Sequence, residues 1–314
     1  MNIRRFLYRA KYRFGRHLPL TIPVDVSLEL SSYCTNACPY CYHSARQDLP
    51  FKKGFMDYRL AHSLISDSAW LGVNSIKFNH RGEATMHPDF EKITWHAKSF
   101  ASGSTFIDRL TNSNFNFRYD RDDIFRGLCN QTKVKVSFDS FIKDVFEKQR
   151  KGSNYEATIR NIERFYHYPG RKTALVIQSV RTNLNKDEDL EWEIKHRWPE
   201  AVASIRDCVE GRVGKDLSSV VTRKRDDSKR QSCQQAHVRL IVHHDGKVAP
   251  CCPSIKVDLI LGDATKESLF SIFNSAAAKA LRKDLKSGKA FDRDPCKTCS
   301  SFESYRGFKP QWDS

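Results

Sequence analysis

The residues that decide the fold are 31–41, SSYCTNACPYC, in which Cys34, Cys38 and Cys41 follow the spacing C-x3-C-x2-C. A 4Fe–4S cluster normally takes four cysteine thiolates. Three thiolates on one short loop, with no fourth ligand nearby, therefore predict a cluster in which one iron remains open for chemistry. The alternatives are a structural zinc site or buried thiols, although zinc sites favour paired C-x2-C units with four ligands.

The composition is typical of an intracellular protein with a sizeable core. A chain of 314 residues is long enough for one large domain and a small one. Residues 1–17 are basic without an apolar segment, so no secretory signal is predicted, and no run of about 18 apolar residues exists to span a membrane. We therefore expect a cytoplasmic protein, in which clustered cysteines more often bind metal than form disulfides.

The net charge of +16 is concentrated in two basic segments. The first contains Arg4, Arg5, Arg9, Lys11, Arg13 and Arg16, and the second contains Arg223, Lys224, Arg225, Lys229 and Arg230. Positive charge favours an anionic partner, which here is an anionic or polar substrate, a nucleic acid or a membrane surface. In the first segment Ile3, Leu7, Ala10 and Phe14 recur at helical spacing, which predicts a basic amphipathic helix. Such a helix either packs on the outside of the main domain with solvated charges, or contacts a membrane or nucleic acid.

From residue 24 onward, apolar strand-like stretches alternate with longer helical patterns, which predicts repeated βα units and a parallel sheet. Strands are predicted at 24–30, 75–79, 105–111, 134–138, 174–180 and 203–206, and helices at 57–71, 87–100, 122–128 and 155–168. The first strand ends at the cysteine loop, and active sites of barrels lie at the carboxyl ends of the strands. The predicted fold is therefore α/β, a partial (β/α)6 barrel of the TIM type.

The polar segment around 215–231 separates this barrel from a second group of cysteines. We predict five parts: a basic extension at 1–22, the barrel at 23–215, a polar linker at 216–232, a small cysteine-containing domain at 233–302 and a tail at 303–314.

The cysteine motif resembles that of the radical S-adenosylmethionine (SAM) superfamily. The resemblance implies that the open iron binds the amino and carboxylate groups of SAM, and that reductive cleavage yields a 5′-deoxyadenosyl radical. Tyr40 fits the aromatic position that packs beside the adenine. Arg81-Gly82-Glu83 aligns with the family's Gly-Gly-Glu segment, which implies that Gly82 admits the methionine end of SAM and that Glu83 binds its ammonium. Arg81 departs from this pattern, because it stands where the family has the first glycine.

Three further strand ends match the family in order. Asn112 lies in a turn that resembles Thr-Asn-Gly after the third strand. Ser137 lies in a Ser-x-Asp segment whose serine reaches the ribose hydroxyls, and Arg181 ends the fifth strand, where polar groups meet the SAM carboxylate or the substrate. Each match alone is also explained by an ordinary capping turn. Taken together, the resemblance covers residues 24–212.

The second cysteine group resembles the SPASM/twitch auxiliary-cluster domain. Its predicted ligands to a second 4Fe–4S cluster are Cys233, Cys251, Cys296 and Cys299. A hairpin turn at His244-Asp245-Gly246 is expected to bring the first two together. The steps between the ligands are similar to those of the one-cluster radical SAM dehydrogenase that oxidises an aminocyclitol alcohol. A four-cysteine zinc site is the alternative, and Cys129 and Cys208 are predicted to be buried apolar thiols.

The predicted reaction is hydrogen abstraction from a substrate C–H bond followed by two-electron oxidation of a sugar, aminosugar or nucleotide-type substrate. An epimerase is the runner-up, because some radical SAM epimerases return a hydrogen atom from a cysteine that is not a ligand, and Cys252 is the candidate here. A peptide- or nucleic-acid-modifying radical SAM enzyme and a zinc-stabilised nucleic-acid-binding protein are further alternatives. The resemblance also implies SAM and two 4Fe–4S clusters as cofactors, and an electron donor such as flavodoxin or ferredoxin.

Overall fold

The computed structural model describes residues 3–41, 51–100, 106–209, 220–224, 226, 233–254 and 259–299. The predicted linker lies outside the described residues except for 220–224 and 226, and the predicted tail lies wholly outside them. Arg225, Lys229 and Arg230 of the second basic segment also lie outside them.

A single nine-stranded sheet organises the described chain. Its strands are β1 Asp25–Leu28, β2 Ser75–Phe78, β3 Asp108–Ser113, β4 Lys133–Ser137, β5 Ala174–Arg181, β6 Val202–Asp207, β7 Arg239–Val242, β8 Lys247–Ala249 and β9 Gly262–Asp263. The order across the sheet is β6-β5-β4-β3-β2-β1-β7-β8-β9, and all neighbours from β6 to β7 are parallel. The six predicted strands are confirmed in their predicted order, and the fold is a six-stranded partial barrel with a C-terminal extension.

The described residues also form ten α-helices, most of which pack against one face of this sheet. They are α1 Ile3–Phe14, α2 Tyr58–Trp70, α3 Phe90–Ser99, α4 Asp122–Cys129, α5 Lys143–Gln149, α6 Tyr155–Tyr166, α7 Leu190–Arg197, α8 Gln235–Val238, α9 Leu269–Phe273 and α10 Ala276–Ser287. The side chains of Asp57 and Asn154 accept backbone N–H bonds at the starts of α2 and α6, which places those helices as predicted. The helix α5 has only seven residues, and the apolar residues of α7 do not recur on one helix face, so the sequence pattern does not reveal either of them.

Alternate strand residues face different environments. In β1, Val26 and Leu28 join the main hydrophobic core with the helices, whereas Asp25 and Ser27 lie on the opposite, concave side. Strands of a parallel sheet that is buried on both faces are normally apolar throughout. The concave side of the sheet, which encloses the lumen, is therefore polar, and part of its polarity is satisfied internally, because Asp25 forms ion pairs with Lys77 and Arg239.

The C-terminal region continues the barrel sheet. β7 pairs in parallel with β1, from Asp25 beside Arg239 to Leu28 beside Val242, and β8 and β9 follow as antiparallel strands. The predicted turn after β7 is confirmed, with Gly246 in the left-handed region at φ 85°. Consequently β7, which lies between Cys233 and Cys251 in the sequence, joins the region of the second cysteine group to the barrel sheet.

The helix α1 closes the amino ends of the strands, which we call the floor. Tyr8 and Tyr12 pack with Val24 and Val238, which precede β1 and β7. The opposite end, at the carboxyl ends of the strands, is the mouth. Within the described residues, no helix combines the length and the apolar character that a membrane crossing requires.

Candidate active site

The first cysteine loop lies at the mouth, directly after β1. Cys38 is buried, and Cys34 and Cys41 are partly buried. The backbone N–H of Cys41 donates to the Cys38 carbonyl, and that of Ala37 donates to the Lys151 carbonyl after α5. The loop is therefore held both by its own turn and by the segment that follows α5, a helix that the sequence pattern did not reveal.

Nitrogen donors surround the sulphur atoms of this loop. The Cys34 sulphur accepts from the backbone N–H of Asn36 at 3.4 Å and from the Asn114 amide at 3.9 Å, and the Cys38 sulphur accepts from Arg150 Nη1 at 3.8 Å. Burial, with a smaller contribution from nearby Glu83, raises the pKa of the Cys34 thiol to about 12. A coordinated metal deprotonates such a thiol outright, and the N–H donors then stabilise the thiolate.

This donor set fits an iron–sulfur cluster. Each iron of a cube takes its own thiolate, so the sulphurs need not converge on one point. Within the described ranges, no three His, Cys, Asp or Glu side chains are placed to share a single metal ion.

A buried network supports the loop from behind. Tyr40 donates its hydroxyl hydrogen to Asp139 Oδ2, and the Arg150 guanidinium lies over the Tyr40 ring, 5.5 Å from its centroid. Asp139 is fully buried and accepts from Arg150 Nη2 at 3.0 Å and from the Val180 backbone at 2.7 Å. The aromatic position predicted at Tyr40 is therefore rigidly held, and whether it packs on an adenine stays a prediction.

Gly82 is required by the backbone of the cysteine loop. A Cβ atom at this position would lie 2.3 Å from the Ser31 carbonyl oxygen and 2.4 Å from that of Tyr33. These are backbone atoms, so they cannot turn aside as a flexible side chain would. The segment after β2 and the cysteine loop can approach each other this closely only because residue 82 has no side chain.

We expect Gly82→Ala to displace the cysteine loop. The variant should lose iron from the first cysteine set and most of its SAM cleavage, and its unfolding free energy should fall by about 1–3 kcal/mol because the added methyl overpacks the contact. Iron content and 5′-deoxyadenosine formation measure the two effects. Gly72→Ala is the control, because Gly72 also needs its conformation, at φ 73°, but has open space around it. Equal iron in both variants would contradict this role for Gly82.

Glu83 lies beside Cys34. Its carboxylate is buried and accepts from the Thr85 hydroxyl at 2.7 Å and from the Asn114 backbone at 2.8 Å. Burial raises the pKa of Glu83, and no cation of the described residues forms an ion pair with it. A ligand ammonium would supply that missing charge, so the residue fits its predicted role.

The remaining predicted SAM contacts are divided between the two sides of the sheet. Asn112 is partly buried on β3, and its buried Oδ1 has no hydrogen-bond partner among the described residues. Ser137 is the last residue of β4 and is partly buried. Arg181 instead lies on the same side of β5 as Ile177, which belongs to the helix-facing core. Its guanidinium donates to the Lys186 carbonyl. Its predicted contact with SAM therefore has less geometric support than those of Asn112 and Ser137.

Arg81, the departure from the family pattern, forms a buried ion pair. Its Nε and Nη2 donate to the two carboxylate oxygens of Glu29 at 2.5 and 2.6 Å. His244 Nδ1 lies 2.9 Å from Glu29 Oε1, and these contacts lower the pKa of Glu29 against the opposing effect of burial. Arg81 thus joins the ends of β1, β2 and β7. Sequence reasoning could not identify this pair, because its members lie 52 residues apart.

Two stacked imidazoles lie next to this ion pair. The rings of His80, after β2, and His243, after β7, have centroids 5.1 Å apart and an interplanar angle of 11°. His80 Nε2 and both ring nitrogens of His243 are buried without a hydrogen-bond partner in the described chain. Burial lowers the pKa of His80 to about 3 and that of His243 to about 4, so both are neutral at physiological pH.

The histidine pair was not predicted, although each residue directly follows an apolar strand. Polar residues at the carboxyl ends of neighbouring parallel strands are the signal that could have identified them. That β2 and β7 both flank β1 is visible only in the sheet order.

The second cysteine set is also brought together. Cys233 precedes α8, where backbone N–H groups of Gln235 and Ala236 donate to its sulphur, and burial raises its pKa to about 12. Burial followed by the nearby thiols of Cys233, Cys299, Cys252 and Cys296 raises the pKa of Cys251. Cys296 packs against the same apolar cluster as Cys233. The four predicted ligands therefore share one region at the amino end of β7.

Cys252 lies at the floor, at the other end of the strands from the first cysteine loop. Its sulphur accepts from Arg239 Nη1 at 3.2 Å, and the same guanidinium donates to Asp25 Oδ2 and to the Tyr12 hydroxyl of α1. Arg239 begins β7, and three residues of strand separate it from the mouth, which is about 10 Å.

The two remaining cysteines differ in their surroundings. Cys208 is fully buried beside Cys38, Tyr40 and Cys41, and Cys129 is partly buried against the main core. Burial is as predicted for Cys208 and only partial for Cys129.

Residues 233–300 match the SPASM family, described as an iron–sulfur cluster-binding domain. All four cysteines of the second set lie within this match. No curated protein matches the sequence.

Solved structures share the fold over most of the chain. BtrN in complex with AdoMet and 2-DOIA aligns with a TM-score of 0.58 and 15% identity over 88% of this chain and 92% of that chain. SuiB of Streptococcus suis bound to S-adenosylmethionine aligns with a TM-score of 0.66 and 13% identity over 96% of this chain and 78% of that chain. The anSMEcpe structure with bound AdoMet gives a TM-score of 0.65 and 18% identity over 89% and 84% of the two chains.

Proposed function

We propose that this chain, a radical SAM protein with a C-terminal SPASM domain, oxidises an alcohol or amine carbon of a sugar, aminosugar or nucleotide-type substrate by two electrons. Cys34, Cys38 and Cys41 would hold one 4Fe–4S cluster, and Cys233, Cys251, Cys296 and Cys299 a second. When bound, these cofactors and SAM supply hydrogen abstraction from an unactivated C–H bond and an acceptor for the second electron. The protein supplies orientation, exclusion of water and a proton acceptor.

The single observation that carries this proposal is the stacked pair of His80 and His243 at the mouth. Oxidation removes two hydrogens from the substrate, one as an atom and one as a proton after the second electron has left. Loss of the second electron leaves a protonated carbonyl, which is acidic enough to transfer its proton to a neutral imidazole with an unpartnered nitrogen even though burial lowers the pKa of that imidazole. The adjacent Glu29 carboxylate stabilises the imidazolium that results, because it lies close enough to affect the pKa of both rings.

The position of Cys252 favours oxidation over epimerisation. A thiol that returns a hydrogen atom must contact the substrate radical, whereas electron transfer tolerates a longer separation. Cys252 lies on the floor against Arg239, whose position in β7 is about 10 Å from the mouth, where the first cysteine loop and the proposed radical lie. The second cysteine set also lies at the floor, at the amino end of β7. A cluster held there is suited to accept an electron across the lumen.

The lumen supports a small polar substrate. Its lining includes Ser27, Lys77, Asn112, Lys135 and Gln178, which alternate with residues of the hydrophobic core. Hydroxyl, amide and ammonium groups bind hydroxyl- and amine-rich molecules by hydrogen bonds. BtrN, whose structure holds 2-DOIA, has the same fold.

We expect His80→Gln with His243→Gln to uncouple SAM cleavage from oxidation. The reconstituted enzyme with SAM, a reductant and a panel of cyclitols, aminosugars and nucleotides should yield a product two hydrogens lighter than its substrate. In the double variant 5′-deoxyadenosine should still form, while this product falls by about a hundredfold or more, because the proton acceptor is absent. Mass spectrometry follows both products in one reaction.

A matched control is available in His62 and His96, which also stack, with centroids 3.5 Å apart, but lie on the outer helices α2 and α3. His62→Gln should leave both products unchanged. The reaction is repeated in heavy water. A product that has as many hydrogen atoms as the substrate, one of them a solvent deuterium at the attacked carbon, would overturn oxidation in favour of epimerisation.

A further inference from the structure

The helix α1 exposes apolar side chains that an ordinary surface helix would bury. Its aromatic face is buried on the barrel floor, whereas five apolar side chains of the helix and the following turn are between 41% and 71% exposed: Ile3, Phe6, Leu7, Phe14 and Leu18. An amphipathic surface helix normally turns its apolar stripe to the core. We call these five residues the outer stripe.

The outer stripe is one continuous face. Ile3, Leu7 and Phe14 are four and seven residues apart, and at about 3.6 residues per turn this spacing aligns their side chains. By contrast, the exposed side chains of Trp95, Ile142 and Trp192 lie singly, on α3, directly before α5 and on α7. Single exposed apolar residues are common, whereas a contiguous apolar face marks an interaction site.

The buried side of α1 prevents the outer stripe from turning inward. Arg239 Nη2 donates to the Tyr12 hydroxyl at 3.0 Å, and Arg5 Nη2 lies 3.9 Å from Asp108 Oδ1. At the end of the helix, a Cβ at Gly15 would lie 2.2 Å from a Val238 methyl, so the chain is seated closely on the floor. Rotation of α1 to bury Leu7 would break these contacts and expose Tyr8 and Tyr12.

Exposed cations border the outer stripe. On the helix surface Arg4 and Lys11 lie along one side of it and Arg13 along the other, and all three are exposed. We propose that this surface docks on an anionic lipid bilayer, with the outer stripe in the acyl-chain boundary and the cations at the headgroups. Three of the five side chains in the outer stripe are aliphatic and have no favourable contact with nucleic-acid phosphates, so a nucleic acid fits this surface less well.

This docking orients the enzyme. The floor faces the bilayer, and the mouth with the first cysteine loop opens on the opposite side, because α1 covers the amino ends of the strands.

The test is co-sedimentation of the reconstituted full chain with vesicles. Binding is expected to vesicles of phosphatidylglycerol mixed with phosphatidylcholine, and to be weaker with phosphatidylcholine alone and at high salt. Leu7→Gln with Phe14→Gln should weaken binding by about tenfold or more, because two apolar side chains no longer insert. Ile142→Gln, which changes an equally exposed isoleucine on another face, should bind as the unaltered chain does.

Three outcomes would overturn the proposal. They are no binding to the anionic vesicles, binding that Leu7→Gln with Phe14→Gln leaves unchanged, and a dimer in light scattering that this variant dissociates without any vesicle binding. SAM cleavage by the variant is measured in parallel and should be unchanged, since these side chains point away from the lumen. The result is therefore independent of the proposed oxidation.

Discussion

Replacing Cys34, Cys38 and Cys41 together by alanine is expected to abolish reductive SAM cleavage. The unaltered chain, reconstituted without oxygen, should hold about eight irons in two clusters, and the triple variant about four. Loss of cleavage should be complete, because the proposed site of SAM binding is removed with the first cluster. Iron analysis and 5′-deoxyadenosine formation measure the two effects.

Cys129→Ala serves as the control, since Cys129 packs against the main core away from both sets, and should retain all the iron. Stoichiometric zinc at Cys233, Cys251, Cys296 and Cys299 in protein purified without oxygen would contradict the second cluster. It would leave the first cluster and SAM cleavage unaffected, so the two assignments are tested separately.

Asp139→Ala is expected to lower the free energy of unfolding by about 3–5 kcal/mol, because it leaves the buried Arg150 guanidinium without its counter-charge. The Arg150 Nε and Asp139 Oδ2 atoms lie 2.6 Å apart, and the aspartate is fully buried. The same change removes the acceptors of the Tyr40 hydroxyl and the Val180 N–H. Denaturant unfolding measures the loss, and reduced iron retention at Cys38 should accompany it.

A second ion pair provides the comparison. Arg118 and Asp120 are equally close, at 2.6 Å, but their side chains are 81% and 63% exposed. Asp120→Ala should therefore change stability by less than about 1 kcal/mol, since water screens an exposed pair. In the double variant Asp139→Ala with Arg150→Met, part of the lost stability should return, because no unpaired charge remains in the interior. Equal losses in Asp139→Ala and Asp120→Ala would show that Asp139 has no such role.

The local pattern of the chain was sufficient to predict the fold class. Cysteine spacing in residues 31–41 and the alternation of apolar strands with helices are short-range properties, and both depend only on residues close in sequence. For this reason the six strands, their order and the SPASM region were predicted, whereas the short helices α5 and α7 were not.

Contacts between distant segments were decided only by the tertiary structure. Arg81 was a departure from a family pattern in the sequence, and became the partner of Glu29 once β2 lay beside β1. His80 and His243 are 163 positions apart in the sequence, and they stack because β2 and β7 flank the same strand, β1.

The helix α1 shows the same division most clearly. Its spacing of apolar and basic residues predicted an amphipathic helix, and the helix is present. The sequence pattern did not identify the face that the helix buries. An apolar stripe ordinarily faces the core, whereas here the apolar stripe is exposed. The orientation is settled by the hydrogen bond between Arg239 and Tyr12 and by the packing of Tyr8 against the floor. Arg239 follows Tyr12 by 227 positions in the chain, so a local pattern cannot reveal this contact. The sequence therefore determined the elements and the metal-binding motifs, and the packing of remote segments determined the faces they expose.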